Sequence, residues 1–288
     1  MVNKGFELTI NSVNFREGDF YWSTQLNMSH NTNTVTKLNN GEDIQDFPWI
    51  IREGESFNSF YLRDWAGVDP ETGLGGWYVV DQIDNNDDGI IDKEVRVDED
   101  GDGEWDITRN SSAANKRIVG NANPDLLGGL TNTFRYKGFD LSVLFNFKIG
   151  GDSYYDPAWA FWADGFDPQA PISEYQYNNQ WREPGDNAEF PRYVMYGGDV
   201  NSHFNSSRRL NDASYIRLKN LSVGYTLPEK FTSKAGLNKV RLYMNAVNLW
   251  TWAAFDHYDP EVTARGVGFA NTDFPPLKTV TFGAELNF

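Results

Sequence analysis

Period-two alternation of apolar and polar residues runs through this chain, and its end shows it most plainly. In LKTVTFGAELNF (Leu277 to Phe288), Val280, Phe282, Ala284, Leu286 and Phe288 share one face of an extended segment; Thr279, Thr281, Gly283, Glu285 and Asn287 share the other. The same alternation predicts strands near 4–14, 19–31, 127–136, 139–149, 213–227, 238–250 and 277–288. Phe20, Trp22, Leu26 and Met28 oppose Tyr21, Ser23, Gln25, Asn27 and Ser29, while Phe139, Leu141, Val143, Phe145 and Phe147 oppose Asp140, Ser142, Asn146 and Lys148. In YIRLKNLSVGYTLP the apolar phase moves from Ile216 and Leu218 to Leu221, Val223 and Tyr225, which predicts either a β-bulge near Asn220 or a strand with a mixed face.

The connections between these strands alternate in length. They run short (Arg16 to Gly18), long (32–126), short (Lys137, Gly138), long (150–212), short (Pro228 to Leu237) and long (251–276). A transmembrane β-barrel predicts this parity, because antiparallel strands meet alternately at short periplasmic turns and long extracellular loops. In lipid every backbone amide must pair within the protein, so apolar-out, polar-in strands make staves of a closed wall. The last strand of a soluble sandwich alternates equally well. The fold expected is all-β: an antiparallel transmembrane β-barrel segment of about seven long strands, an open arc, with long extracellular loops and 277–288 as the C-terminal barrel strand. Trp250 and Trp252 then fall in an aromatic girdle.

Composition agrees. With 40% hydrophobic and 15% aromatic residues, no stretch approaches 18 consecutive apolar positions, which excludes a helical membrane protein. A formal charge of −16 argues against nucleic acid as a partner. The absence of cysteine removes disulfides, thiolate zinc sites and cysteine nucleophiles. Met1 leads directly into VNKGFELTI without a basic and apolar leader, so an exported chain of this kind is expected to be a fragment.

Candidate chemistry lies in the long connections. Asp84, Asn86, Asp88, Gly89 and Asp92 form D-x-N-x-D-G-x-x-D, and Asp98, Asp100, Asp102, Gly103 and Asp106 repeat the pattern 14 residues later. Alternate oxygen ligands before a turn glycine can converge on Ca²⁺, although Val95 and Arg109 stand where the bidentate glutamate of an EF-hand would be. The 150–212 connection carries Trp159, Trp162, Tyr175 and Trp181, which read as the loop's own small core, as a contact surface, or as platforms for sugar rings. No catalytic function is expected: His30, His203 and His257 have no partner at metal-ligand spacing, no G-x-S-x-G occurs, and acidic pairs such as Asp164 and Asp167 are inevitable among 41 carboxylates.

Several long motifs resemble the SusC/RagA group of TonB-dependent outer-membrane transporters, specifically its C-terminal barrel portion. They are NDASYIRLKNLSVGYTLPEKF (Asn211 to Phe231), VRLYMNAVNLWTW (Val240 to Trp252), YDPEV (Tyr258 to Val262), the terminal FPPLKTVTFGAELNF, and IVGNANPDLLGGLTNTFRYKGFDLSVLFNFKIGG (Ile118 to Gly151). The resemblance implies a plugged barrel of roughly 22 strands in a Gram-negative, Bacteroidetes-like outer membrane. It further implies uptake of a glycan or peptide cargo, a SusD-like surface lipoprotein partner, and a TonB complex reached through N-terminal regions that this sequence lacks. The alternative is a calcium-stabilised secreted or surface carbohydrate-binding β-domain.

Overall fold

The computed structural model describes the chain except residues 86, 88, 90, 198–200 and 263–266. Its frame is a seven-stranded antiparallel sheet whose spatial order is its sequence order. The strands are β1 (Val2–Glu17), β2 (Phe20–Thr34), β3 (Leu126–Tyr136), β4 (Phe139–Ile149), β5 (Tyr215–Thr226), β6 (Lys239–Ala253) and β7 (Thr279–Asn287). Each expected strand is present, within a few residues of its expected ends. No helix among the described residues is long and apolar enough to cross a membrane, which says nothing about strands.

Register explains the alternation. Phe15, Trp22, Phe134, Leu141, Val223, Met244 and Phe282 lie side by side, one per strand, in a single row across all seven strands. Another row, four residues further up and beyond an intervening one, contains Ile10, Leu26, Leu130, Phe145, Leu218 and Trp250. Aromatic residues gather at both ends of this face. Phe20, Tyr136, Phe139 and Tyr225 line up near the short turns, and Phe147 pairs with Ile216 and so with Trp252 near the long connections. Five such rows, about 6.6 Å apart along strands tilted near 40°, span roughly 20 Å. The opposite face is polar: Asn11, Gln25, Thr131, Leu144, Asn220, Val247 and Thr279 form one row, and Val13, Ser23, Thr133, Ser142, Ser222, Asn245 and Thr281 the next.

Two departures from regular pairing have local causes. On β1 the register shifts between Val13 and Phe15, leaving Asn14 as the extra residue. Its Nδ2 donates to Thr24 Oγ1 at 2.6 Å, Thr24 donates to Asn132 Oδ1 at 2.7 Å, and Trp22 Nε1 donates to the same oxygen at 3.0 Å, so polar groups on the apolar face satisfy one another. On β5 Lys219 is the extra residue against β4, and against β6 it faces two unpaired residues, Asn248 and Leu249. This is the bulge that the phase change near Asn220 implied. Across from it Asn248 takes the left-handed conformation (φ 55°). Nearer the short turns, Gly224 leaves room for the Arg241–Asp140 ion pair, since a Cβ there would sit 2.5 Å from Arg241 Nη2.

The apolar face is not covered by a second sheet: Phe282 is 76% exposed and Phe139 56%. The outer strands are open as well, with every residue of β1 exposed and all of β7 except Gly283. Buried side chains lie instead in the long connections, where Phe60, Leu62, Ala122, Tyr154 and Phe269 form one core and Tyr155, Ala158, Trp162, Phe190 and Ala270 another.

Candidate functional site

All three long connections leave the same end of the sheet, because each joins an even-numbered strand to the next odd-numbered one. They form one body. Its first core draws Phe60 and Leu62 from 35–125, Tyr154 from 150–214 and Phe269 from 254–278. Strand pairing stitches the same segments: Asp152–Tyr155 pairs with Leu210–Asp212 on one side and, in parallel, with Phe269–Ala270 on the other. In the first connection, Ile44–Asp46, Trp49–Ile51, Ser59–Arg63 and Lys116–Asn121 build a small sheet of their own. A stretch of about 90 residues needs such an internal core to be ordered at all.

Charged groups fix this cap internally and to the wall. Asp164, almost fully buried, receives Arg208 through both oxygens (2.5 and 2.8 Å), with Ser202 Oγ at 2.6 Å and Gln176 Nε2 at 3.1 Å. The Arg208 guanidinium also lies over Trp65 and Phe190, coupling the first connection to the second. Arg217 ties the cap to the sheet. It projects from the polar face of β5 with 1% exposure, donating to Asp259 at 2.6 Å, Glu261 at 2.7 Å and Thr251 Oγ1 at 3.0 Å. Lys219, two residues further along the strand and so on the same side, reaches Glu261 through Nζ at 2.7 Å. Arg217 belongs to YIRLK and the two carboxylates to YDPEV, so these sequence motifs meet as one junction. Strand period alone gave no sign of this, because the partners lie more than 40 residues apart and one is in a loop.

The sequence-predicted site residues separate on the structure. Trp162 (4% exposed) is in the second core, with Tyr175 and Phe190 against it at ring-centroid distances of 6.3 and 5.2 Å. Trp181 donates through Nε1 to Pro70 O at 2.7 Å and lies against Gly73, joining two connections. Trp159 is 63% exposed and apart from them. The four residues therefore do not form one platform. His30 lies in β2 rather than in a connection, its Nδ1 2.7 Å from Asp125 O.

Of the two acidic repeats, Asn86 and Asp88 lie outside the described residues. Asp84 accepts backbone N–H groups from Asp87 and Gly89, each at 2.8 Å, and Asp92 accepts that of Asn85 at 2.8 Å. In the second repeat Asp98 accepts from Gly101 and Gly103, and Asp106 from Glu99. Ligand oxygens of Asp98, Asp100 and Asp102 lie within 4.8 Å of one another. Three hard oxygens around one point suit Ca²⁺ by donor type, and Asp106 stands at the loop's end as it would in such a turn.

Two measurements probe the cap. Arg217→Met strands Asp259 and Glu261 without their main cation, so the cap should loosen by about 3 kcal/mol, read as faster proteolysis within 254–278; unchanged cleavage would show that the junction is not structural. His203 stacks on Phe166 (centroids 3.8 Å apart) with Nδ1 buried and unpartnered among the described residues. Burial holds its pKa below the ordinary histidine value, and Arg209 and Arg208 add to this against Asp164. A depressed folded pKa means stability present above the ordinary value near 6.5 and lost as pH falls through the folded one. The protection of amides 163–166, taken relative to the intrinsic exchange rate at each pH, should fall on acidification below about pH 6.5, and His203→Phe should remove that fall.

No family model matches the chain. Curated relatives do. TonB-dependent receptor P3 of Formosa agariphila is 33% identical over all of this chain and 29% of the relative, and TonB-dependent receptor SusC of Bacteroides thetaiotaomicron is 25% identical over all of this chain and 26% of the relative. Among solved structures, that of the RagAB peptide transporter superposes with a TM-score of 0.79 at 25% identity, covering 99% of this chain and 29% of that one. The same importer in its "closed-closed" state gives the same score. The chain thus spans less than a third of the length of the proteins it matches, and these are receptors and transporters rather than enzymes. Over its whole length the chain is related to TonB-dependent receptors, SusC among them, and it matches a stretch of the RagA-type barrel.

Proposed function

We propose that these seven strands are part of the wall of a TonB-linked outer-membrane importer, the C-terminal part of its barrel. The long connections 32–126 and 150–212 are extracellular and the short turns periplasmic. Cargo, a glycan or a peptide, passes along the polar face, and a SusD-like surface lipoprotein works with the cap. Energy comes from the TonB complex through other parts of the longer protein. The observation that carries this reading is the uncovered seven-strand apolar row from Phe15 to Phe282, backed by a row of amides and hydroxyls. A secreted carbohydrate-binding domain would have to cover that row, and no described residue does.

Strand parity supports the same reading. With seven strands, β1 and β7 both run from the long-connection end to the turn end. Joining copies edge to edge would place them in parallel, whereas a fully antiparallel wall closes only if an odd number of further strands is inserted between them. Relatives more than three times as long have room for these.

The two faces make the test. In the complete protein folded into lipid, Leu221→Arg, in the middle row of the apolar face, should cost about 2–4 kcal/mol and the adjacent Ser222→Arg, on the polar face, clearly less, measured by chemical unfolding; equal costs would defeat the wall reading. For the acidic repeats, we propose that Asp98, Asp100, Asp102 and Asp106, and by analogy the Asp84 repeat, hold Ca²⁺ and order the first connection. Millimolar Ca²⁺ at about 100 times its Kd would raise stability by ~2.7 kcal/mol. Asp98→Asn with Asp100→Asn should abolish the gain, and a calcium-independent melting temperature in the unaltered protein would rule the site out.

A further inference from the structure

The charge of this chain is unevenly placed. The three segments of the cap, 35–125, 150–214 and 254–278, hold 35 carboxylates against 14 lysines and arginines, a formal −21. The strands and short turns hold 6 against 11, a formal +5. Within the cap five arginines are held in ion pairs, while Lys37, Lys93, Arg182 and Lys278 are exposed. Arg52 pairs with Asp43 and Glu94, Arg96 and Arg117 with Asp64, Arg109 with Asp69, and Arg208 with Asp164. Glu42, Asp46, Glu55, Glu71, Glu174 and Glu183 are by contrast exposed and outside every ion pair among the described residues. These ion pairs neutralise arginine and carboxylate alike, so the cap keeps its full negative excess and the unpaired carboxylates carry it to the surface. Two bound Ca²⁺ ions would remove only four of those charges.

A field of one sign at the mouth of a passage raises the local concentration of opposite charge and lowers that of like charge, with on-rates altered 10- to 1,000-fold. The polar face of the wall below is mainly Asn, Gln, Ser and Thr, with cations among them, of which Arg217 and Lys219 are held by Asp259 and Glu261 and Arg241 by Asp140, so the negative field belongs to the cap at the mouth. Resting on the importer reading, we propose that the cap selects cargo by charge. It admits oligomers bearing net positive charge through amino or guanidino groups in preference to neutral ones, and neutral in preference to anionic ones. Basic peptides and amino-sugar oligomers share that chemistry.

The test uses cells making the complete protein and measures the part of uptake that an uncoupler abolishes. Probes are fluorescent peptides of equal length carrying net charges of +3, 0 and −3, alongside glucosamine and N-acetylglucosamine oligomers. The +3 peptide or the glucosamine oligomer should be imported with a half-saturating concentration at least ~10-fold below its neutral or anionic counterpart. The gap should shrink as salt rises. Converting the six exposed carboxylates named above to amides, which leaves every ion pair intact, should narrow it about threefold. Which cationic probe is taken up distinguishes peptide from amino sugar. Equal half-saturation across charges, or a preference that neither salt nor the six-amide variant changes, overturns the proposal while leaving an importer. Absence of energised uptake for every probe removes the importer reading and the charge selection with it.

Discussion

Backbone pairing governs this structure. Each long strand exchanges amide hydrogen bonds with its sequence neighbour, and the side-chain faces follow from that register, because a slip of one residue would turn Phe134 or Leu141 to the polar side. The two irregularities preserve the faces. Asn14 and Lys219 are single extra residues after which the apolar phase resumes, and both insert a polar side chain that is then satisfied, Asn14 by Thr24 and Lys219 by Glu261. What pairing leaves undone is at the two ends of the sheet, where β1 and β7 present unpaired edges of 16 and 9 residues. Edges of that length are completed by further strands in a stable protein.

The cap depends on the wall at one principal junction. Its three connections share hydrophobic cores, yet the charged contact that fixes them to the sheet is Arg217 with Asp259 and Glu261. Lys219, on the same side of β5, adds a second cation at Glu261. A buried guanidinium of this kind is costly without its partners and specific with them. It makes the position of the third connection a consequence of β5 register, and through the shared cores the first and second connections follow.

The wall was legible in the sequence because each strand announces itself locally. A period of two over nine or more residues needs no knowledge of the partner, and the alternation of short and long connections gave the order. The phase change in YIRLKNLSVGYTLP even located the bulge within one residue. The extra residue Asn14 was not visible, since the phase of β1 beyond it rests on Phe15 alone. The cap was legible only in part: a small core among the aromatics of 150–212 was one of the expected readings, and Trp162 and Tyr175 do enter one, but which residues would do so was not visible. Trp162, Tyr175 and Trp181 look alike as aromatics in a polar loop, and only long-range packing sends the first two into a core and the third onto Gly73. The Asp164 and Arg217 networks likewise join residues 38 to 44 positions apart, beyond the reach of any local pattern.

The central claim is that one face of the sheet meets lipid and the other lines an aqueous passage. This stretch contains no cysteine, so each single cysteine introduced into it reports on one position. The most direct measurement places cysteines in turn at Ser142, Val143, Leu221 and Ser222 in the complete protein, within its membrane. Each is then reacted with a charged, water-soluble maleimide or with a lipid-soluble one. The account predicts that Ser142 and Ser222 react with the first reagent and Val143 and Leu221 only with the second. Reaction of all four with the water-soluble reagent would contradict it.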